Sequence, residues 1–318
     1  MAHDHSADSS HNHHHGHGHG HGHQHPTPTS FGPRFLLAAA LNAVFIAFEV
    51  IYGLKANSLA LLADAGHNVS DVLGLLMAWA AWGLSRRKPD ASFTYGLRGA
   101  SILAALFNAM LLMIAVGGIV WEAAQRFTLL QAVAGQTVMW VAALGILING
   151  FTAWLFAGGQ GDLNIRGAFL HLLADAAVSA AVVVSGLLIL RTGWQWIDPA
   201  LSIAVSVVIV WGTWGLLRES IRLALQGVPK GIDPEAVRSY LAGLPGVSDV
   251  HDLHIWGMST TEVALTAHIT VPSGHPGDGF LHDVADQLEH RFGIGHVTIQ
   301  VETGDSQHAC ALSPVGSV

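Results

Sequence analysis

Residues 57–83 read NSLALLADAGHNVSDVLGLLMAWAAWG, and residues 164–190 read NIRGAFLHLLADAAVSAAVVVSGLLIL. Both exceed the roughly 20 apolar residues that a helix needs to cross hydrocarbon. Each carries a histidine and an aspartate four positions apart: His67 with Asp71, and His171 with Asp175. On a helix that spacing puts both groups on one face. Ionisable side chains inside a spanning helix are costly and mark a transport path or a polar site. Two such helices offer four nitrogen and oxygen donors, a tetrahedral set that zinc accepts, and their two carboxylates neutralise a dication. A metal-free His–Asp clamp between helices is the plainer reading of one pair alone. The same spacing in two helices favours a transported-metal site. His67 falls about 15 Å from the outer end of its helix and His171 roughly 10 Å from the inner surface. Antiparallel helices then bring the motifs face to face near the bilayer middle.

Around these two stretches the chain reads as an integral membrane protein. Only 11% of its 318 residues are charged, against about 25% in a soluble domain, and the mean hydropathy is +0.44. Apolar stretches at about 34–54, 57–83, 98–121, 135–157, 164–190 and 197–217 predict six spanning helices, all α, in a transmembrane domain of residues 31–222. With both termini cytoplasmic, Arg34, Arg86, Arg87, Lys88, Arg98, Arg166, Arg218 and Arg222 lie inside, and only Lys55, Arg126 and Arg191 lie outside. That asymmetry is the one the positive-inside rule describes. Asp64, one turn before His67, reads as a hydrogen-bond partner behind the ligands, an entrance charge, a packing group or a further ligand. Glu49 and Asn149 read as buried polar contacts.

Residues 1–30 are low in complexity and are expected to be disordered. They lack the basic region and apolar core of a cleavable signal peptide, so none is expected. His13, His14, His15, His17, His19, His21, His23 and His25 alternate largely with glycine. Such a tract binds zinc, nickel or copper weakly in many registers, and serves either as a sink near the entrance or as a dispensable tail. The single cysteine, Cys310, excludes an intrachain disulfide framework and a CxxC zinc site.

Beyond residue 222 the pattern changes to that of a small soluble domain, residues 223–304, with a loose tail at 305–318. Asp233-Pro234 opens a helix over 233–243, as a cap followed by a first-turn proline does. Strands are predicted at 249–257, 261–271 and 295–303, and a helix at 277–292. The order α-β-β-α-β implies a two-layer α+β fold. Its core is small, so dimerisation or bound metal would help it.

Imidazole titrates near neutrality, and a bound metal displaces its proton. A histidine-containing metal site therefore exchanges metal for protons by linkage. The chain has no phosphate-binding loop and no room for a nucleotide-binding domain, so no nucleotide or organic cofactor is expected. A passive facilitator can use the same four ligands, so that reading stays open, as does a membrane-anchored metal sensor. A zinc hydrolase is disfavoured, because four ligands leave no open position for water and no HExxH occurs.

The segments SLALLADAGHNVSD (58–71), TYGLR (94–98), LNIRGAFLHLLADAAVS (163–179), WIDPALSI (196–203), HDLHIW (251–256), LTAHITV (265–271) and HVTIQVE (296–302) resemble, in order, those of the cation diffusion facilitator family. The chain is most similar to the bacterial zinc-exporting branch and the related vesicular zinc transporters. The resemblance implies a homodimeric metal/proton antiporter of the bacterial inner membrane, not an enzyme, with a ferredoxin-like cytoplasmic domain. It exports zinc, and cadmium as a secondary substrate; its partners are a second copy, divalent metal ions, protons and membrane lipid, with no nucleic acid. By position the transport ligands fall on His67, Asp71, His171 and Asp175. The regulatory ligands fall on His251, His268 and Glu302, with His308 or Cys310 able to complete the set. His254, His282, His290 and His296 read as surface or interface histidines. The loop 85–97 holds one aspartate, Asp90, and no histidine, which departs from members with a further metal site there; its basic run reads as an interfacial anchor.

Overall fold

The computed structural model describes residues 33–85, 87–156, 163–305 and 310–313. Six long helices come first: α1 (Pro33–Ala56), α2 (Leu59–Ser85), α3 (Ala100–Arg126), α4 (Gly135–Phe156), α5 (Leu163–Thr192) and α6 (Ile197–Ala224). Among the described residues, four segments are long and apolar enough to cross a membrane: Ala100–Arg126, Gly135–Trp154, Phe169–Thr192 and Ile197–Ala224. Two helices run on past the apolar stretches that would cross the membrane. α3 reaches Arg126 rather than 121, and α6 reaches Ala224 rather than 217. The apolar run stops earlier, but the intervening residues are helix formers, and the helix continues through Glu122 or through Arg218 and Glu219.

α4 packs most extensively along α5, α3 along α6, and α2 along α3, while α2 and α5 meet only briefly. Small residues set the close approaches, as is usual between helices in lipid. A Cβ on Gly186 would lie 2.8 Å from the Gly135 carbonyl oxygen, and one on Gly74 2.8 Å from Asn108 Nδ2.

The α1–α2 turn is held by two buried charges. Asp198, 0% exposed, sits at the N-terminus of α2. Its carboxylate accepts from Ser58 Oγ, from Leu59 N at 2.8 Å and from Ala60 N at 3.4 Å. An anion there satisfies orphan amides and opposes the positive end of the helix dipole. Arg126 donates to the Asn57 carbonyl at 2.6 Å and to Asn57 Oδ1 at 2.9 Å, holding a residue with φ of 54°. These contacts fasten α2 to α6 and α3 at one end.

The C-terminal part runs α7 (Pro234–Ala242), β1 (Asp249–Gly257), β2 (Val263–Thr270), α8 (Asp278–Phe292) and β3 (His296–Glu302). Asp233 caps α7, accepting from Glu235 N at 3.0 Å. β2 is the central strand, antiparallel to β1 and parallel to β3. Val237 and Leu241 from α7, Leu265 and Ile269 from β2, and Val284 and Leu288 from α8 form its core. This domain touches the start of α3 through Arg98 to Glu262 at 2.8 Å and Thr260 N to Ser101 Oγ at 3.1 Å. In the preceding loop, Asp90 accepts from the backbone of Ser92 and Phe93, each at 2.7 Å, which makes it a turn residue.

Asp198→Ala leaves three donors at the α2 terminus without a buried acceptor, at a cost of about 2–3 kcal/mol. Thermal unfolding in detergent should show a lower midpoint for this variant, and a smaller drop for Asp198→Asn, which keeps an acceptor oxygen. Equal midpoints for the wild type and Asp198→Ala would show that this carboxylate does not hold the turn.

Candidate metal centres

α2 carries His67 and Asp71 on one face, α5 carries His171 and Asp175, and the four side chains converge where the helices meet. His67 Nε2 lies 3.7 Å from Asp71 Oδ2 and 3.6 Å from Asp175 Oδ1. His171 Nε2 lies 3.1 Å from Asp71 Oδ2 and 3.5 Å from Asp175 Oδ2. Zinc bonds to nitrogen and oxygen near 2.0–2.1 Å make the edge of a tetrahedron about 3.3 Å. The four observed separations bracket that length; His67, His171 and Asp175 each offer a donor atom within 4.8 Å of the others, and Asp71 Oδ2 lies beside both imidazoles. Each histidine faces both carboxylates, one on its own helix and one on the other. Asp175 is buried, and the other three keep about a quarter of their side-chain surface, 22–24%.

Asp64 is hydrogen-bonded to α5. Its Oδ2 accepts from Ser179 Oγ at 3.1 Å, one turn beyond Asp175 on α5. Glu49 of α1 is equally buried and accepts from Asn68 Nδ2 at 3.3 Å. Asn149 is buried in α4, 2% exposed, with its Nδ2 unpaired.

A second cluster lies on the C-terminal sheet. His251 and His268 are cross-strand partners in β1 and β2, and β3 runs beside β2 with Glu302 near its end. Glu302 reaches His268 Nδ1 at 3.1 Å and His251 Nε2 at 3.3 Å. Cys310 arrives from the tail with Sγ 3.5 Å from His268 Nδ1. One donor atom from each of these four lies within 4.8 Å of the others. His251 Nε2 is buried with no hydrogen bond, which leaves its lone pair for a metal. Two imidazoles, a carboxylate and a thiol make a donor set that fits zinc.

The outer nitrogens of both histidines are held, and sequence reasoning missed the groups that hold them. Asp249 Oδ2 lies 2.9 Å from His251 Nδ1, and Asp252 Oδ2 lies 3.4 Å from His268 Nε2. Such partners fix the ring and raise its basicity as a ligand. Asp249 was findable, because i and i+2 on a strand share a face. Asp252 was not. It reaches His268 from a bulge between His251 and His254, with φ of 49°, and a bulge breaks the alternation. His254 binds Asp252 Oδ1 at 2.8 Å, His290 is exposed, and His296 packs edge-on against Tyr95 with centroids 5.4 Å apart. His308 and His13, His14, His15, His17, His19, His21, His23 and His25 lie outside the described residues.

Residues 35–223 match the family model described as the cation efflux transmembrane domain, and residues 229–304 match that of the cation efflux protein cytoplasmic domain. The chain belongs to the cation efflux, or cation diffusion facilitator, family. It is 37% identical over 305 residues to the zinc transporter ZitB of Escherichia coli K12, covering 95% of this chain and 93% of that protein. Against the cadmium, cobalt and zinc/H(+)-K(+) antiporter of Bacillus subtilis it is 33% identical, covering 87% and 91%. Against the metal cation efflux system protein CzcD of Cupriavidus metallidurans it is 34% identical, covering 86% and 88%. As a cation efflux protein it combines a helical transmembrane domain with a small C-terminal domain built on a three-stranded sheet.

Two outcomes follow for the C-terminal cluster. Asp252→Ala should weaken zinc binding there about 10- to 100-fold, as loss of a ligand's outer partner does; chelator competition on fragment 223–318 measures it. Burial opposes ionisation of Glu302, yet the Cys310 thiol, Gln300, His251 and His268 together hold its carboxyl below the ordinary glutamate value. A lowered carboxyl contributes stability above its unfolded value near 4.3 and loses it as pH falls through the folded value. Glu302→Gln should therefore destabilise the zinc-free fragment at pH 7, with the difference vanishing in acid. A constant difference across a pH series of denaturant midpoints would contradict that linkage.

Proposed function

We propose that this chain is a secondary transporter that exports zinc, and cadmium as a second substrate, from the cytoplasm in exchange for protons. The observation that carries this reading is the cross-helix cluster of His67, Asp71, His171 and Asp175, each imidazole within 3.7 Å of both carboxylates, where α2 and α5 meet briefly. Imidazole matches zinc better than manganese or magnesium. Two aspartates bring the loaded site close to neutral, which lets a dication rest at a depth where bare charge is costly. Bound metal occupies Nε2 of both histidines, and its departure lets those nitrogens take up protons. Metal and protons then compete for one set of atoms, which is exchange by linkage. Two closed faces alternating about the quartet convert that competition into transport.

On this reading α1 to α6 are six crossings of the bacterial inner membrane, with both termini cytoplasmic, as the basic residues favour. The C-terminal domain is a ferredoxin-like dimerisation module, and zinc on His251, His268, Glu302 and Cys310 clamps two copies and biases the cycle. The histidine-rich tail gathers metal at the cytoplasmic entrance. The quartet leaves no vacant coordination position for a hydrolytic water, so the chain is read as a carrier and not an enzyme.

Asp71→Ala and Asp175→Ala should each abolish zinc uptake by inside-out vesicles while the protein still folds; full flux in both would sink the assignment. Proteoliposomes holding a trapped pH dye should show protons moving against zinc whenever a zinc gradient is imposed. Zinc movement with a silent dye would instead establish a passive facilitator. Removal of residues 2–30 should slow transport at limiting zinc and spare the maximal rate, and a carrier dead at saturating zinc would show the tail to be part of the path.

A further inference from the structure

Behind the quartet, α1 and α2 bring two fully buried carboxyls together. Glu49 and Asp64 are each 0% exposed. One oxygen of each is satisfied, Glu49 Oε2 by Asn68 Nδ2 at 3.3 Å and Asp64 Oδ2 by Ser179 Oγ at 3.1 Å. Among the described residues the other two oxygens, Glu49 Oε1 and Asp64 Oδ1, have no donor, while the two carboxyls lie within hydrogen-bonding reach of each other. The charged groups acting on them are Asp175 from α5 and His67 from α2. Among the described residues neither carboxyl is paired with an arginine or a lysine. Two bare carboxylates facing each other at this depth repel and have no cation to offset their desolvation. A single proton shared by the two carboxyls removes the repulsion and gives the unpaired oxygens a donor.

We propose that Glu49 and Asp64 form a second proton site of the carrier, holding one proton between Glu49 Oε1 and Asp64 Oδ1, whose loss and return open and close the contact of α1 with α2 during transport. The inference rests on the exchange reading given above and names a station for the proton apart from the metal ligands. Asp64 stands three residues before His67 on α2, a rise of about 4.5 Å. Its partner Ser179 stands four residues after Asp175 on α5. The pair thus joins α1 to both helices that carry the quartet. With the proton present, α1, α2 and α5 are fastened through Glu49, Asp64 and Ser179. When the O–H bond breaks and water takes up the proton, two anions face each other and drive α1 from α2. Return of a proton from water restores the contact, so one proton is bound and released per opening. Metal at the quartet and the proton at the pair then bias the same helix contacts from two adjoining sites.

Glu49→Gln and Asp64→Asn each place a permanent N–H where the shared proton sits, with little change of shape. Infrared difference spectra of the full-length protein in lipid should show the carbonyl stretch of a protonated carboxyl, shifted in deuterated water. The band should be absent from Glu49→Gln and from Asp64→Asn and present in Asp175→Asn. Both pair variants should bind zinc in detergent within about threefold of the wild type, since the quartet is intact. In proteoliposomes their zinc flux driven by a pH gradient should fall at least tenfold, with the residual flux insensitive to pH. A wild type lacking the band overturns the shared proton. A band that disappears as expected, in variants whose flux and pH profile match the wild type, overturns the cycling and leaves a static contact. Loss of zinc binding in both folded variants overturns the separation of the pair from the metal site. Zinc flux without proton counter-movement in the wild type would overturn the exchange reading and the cycling with it, and the dye reports that result independently of the band.

Discussion

Charge inside hydrocarbon must be compensated within the protein, and the arrangement of the helical domain follows from that constraint. Asp198, the two quartet aspartates, and the pair of Glu49 and Asp64 meet it in three different ways. Asp198 spends its charge on the amides and hydroxyl at the start of α2. Asp175 and Asp71 share two imidazoles and, on the proposed reading, a dication when loaded. Glu49 and Asp64 face each other, and only a proton reconciles them. The same residue types thus give a fixed anchor, an exchangeable metal site and a proton site, according to the donors that surround them.

Helix geometry carries these differences into motion. α2 is anchored at its Asn57 end by Asp198 and Arg126, and along its length by close packing on α3 at Gly74. α4 and α5 approach closely at Gly135 and Gly186. Between these two packed units α2 and α5 touch only briefly, and that narrow seam holds the quartet. A seam held by metal or proton, and by little apolar burial, can open when its ligands change. An extensive apolar interface there would resist separation whatever ion was bound.

Much of this was legible in the sequence because the signals were strong and local. The i, i+4 pairing of His with Asp in two apolar runs places four donors on facing helices. The Asp233-Pro234 cap sets the start of α7, and the alternation of 296–302 marks β3 as a strand. What stayed hidden depended on long-range contacts. The carboxylate of Asp198 meets α2 across 139 residues of chain, and Glu49 meets Asp64 from another helix, so neither has a local signature. Asp252 reaches His268 only through a backbone bulge. α3 and α6 run past the apolar stretches for a different reason. Hydropathy marks where lipid stops, whereas the hydrogen-bonded ladder continues into charged helix formers.

The two candidate metal centres differ in a way that suits a carrier and a clamp respectively. In the C-terminal cluster both imidazoles are held from behind, His251 by Asp249 and His268 by Asp252, and a thiol completes the donor set. Outer carboxylates and sulfur both strengthen binding to zinc. In the membrane quartet, His67 presents Nε2 to the aspartates while its Nδ1 is buried without a partner among the described residues. An imidazole without an outer acceptor is a weaker ligand and is free to re-orient. A carrier that held its ion as firmly as the C-terminal set would load and never discharge.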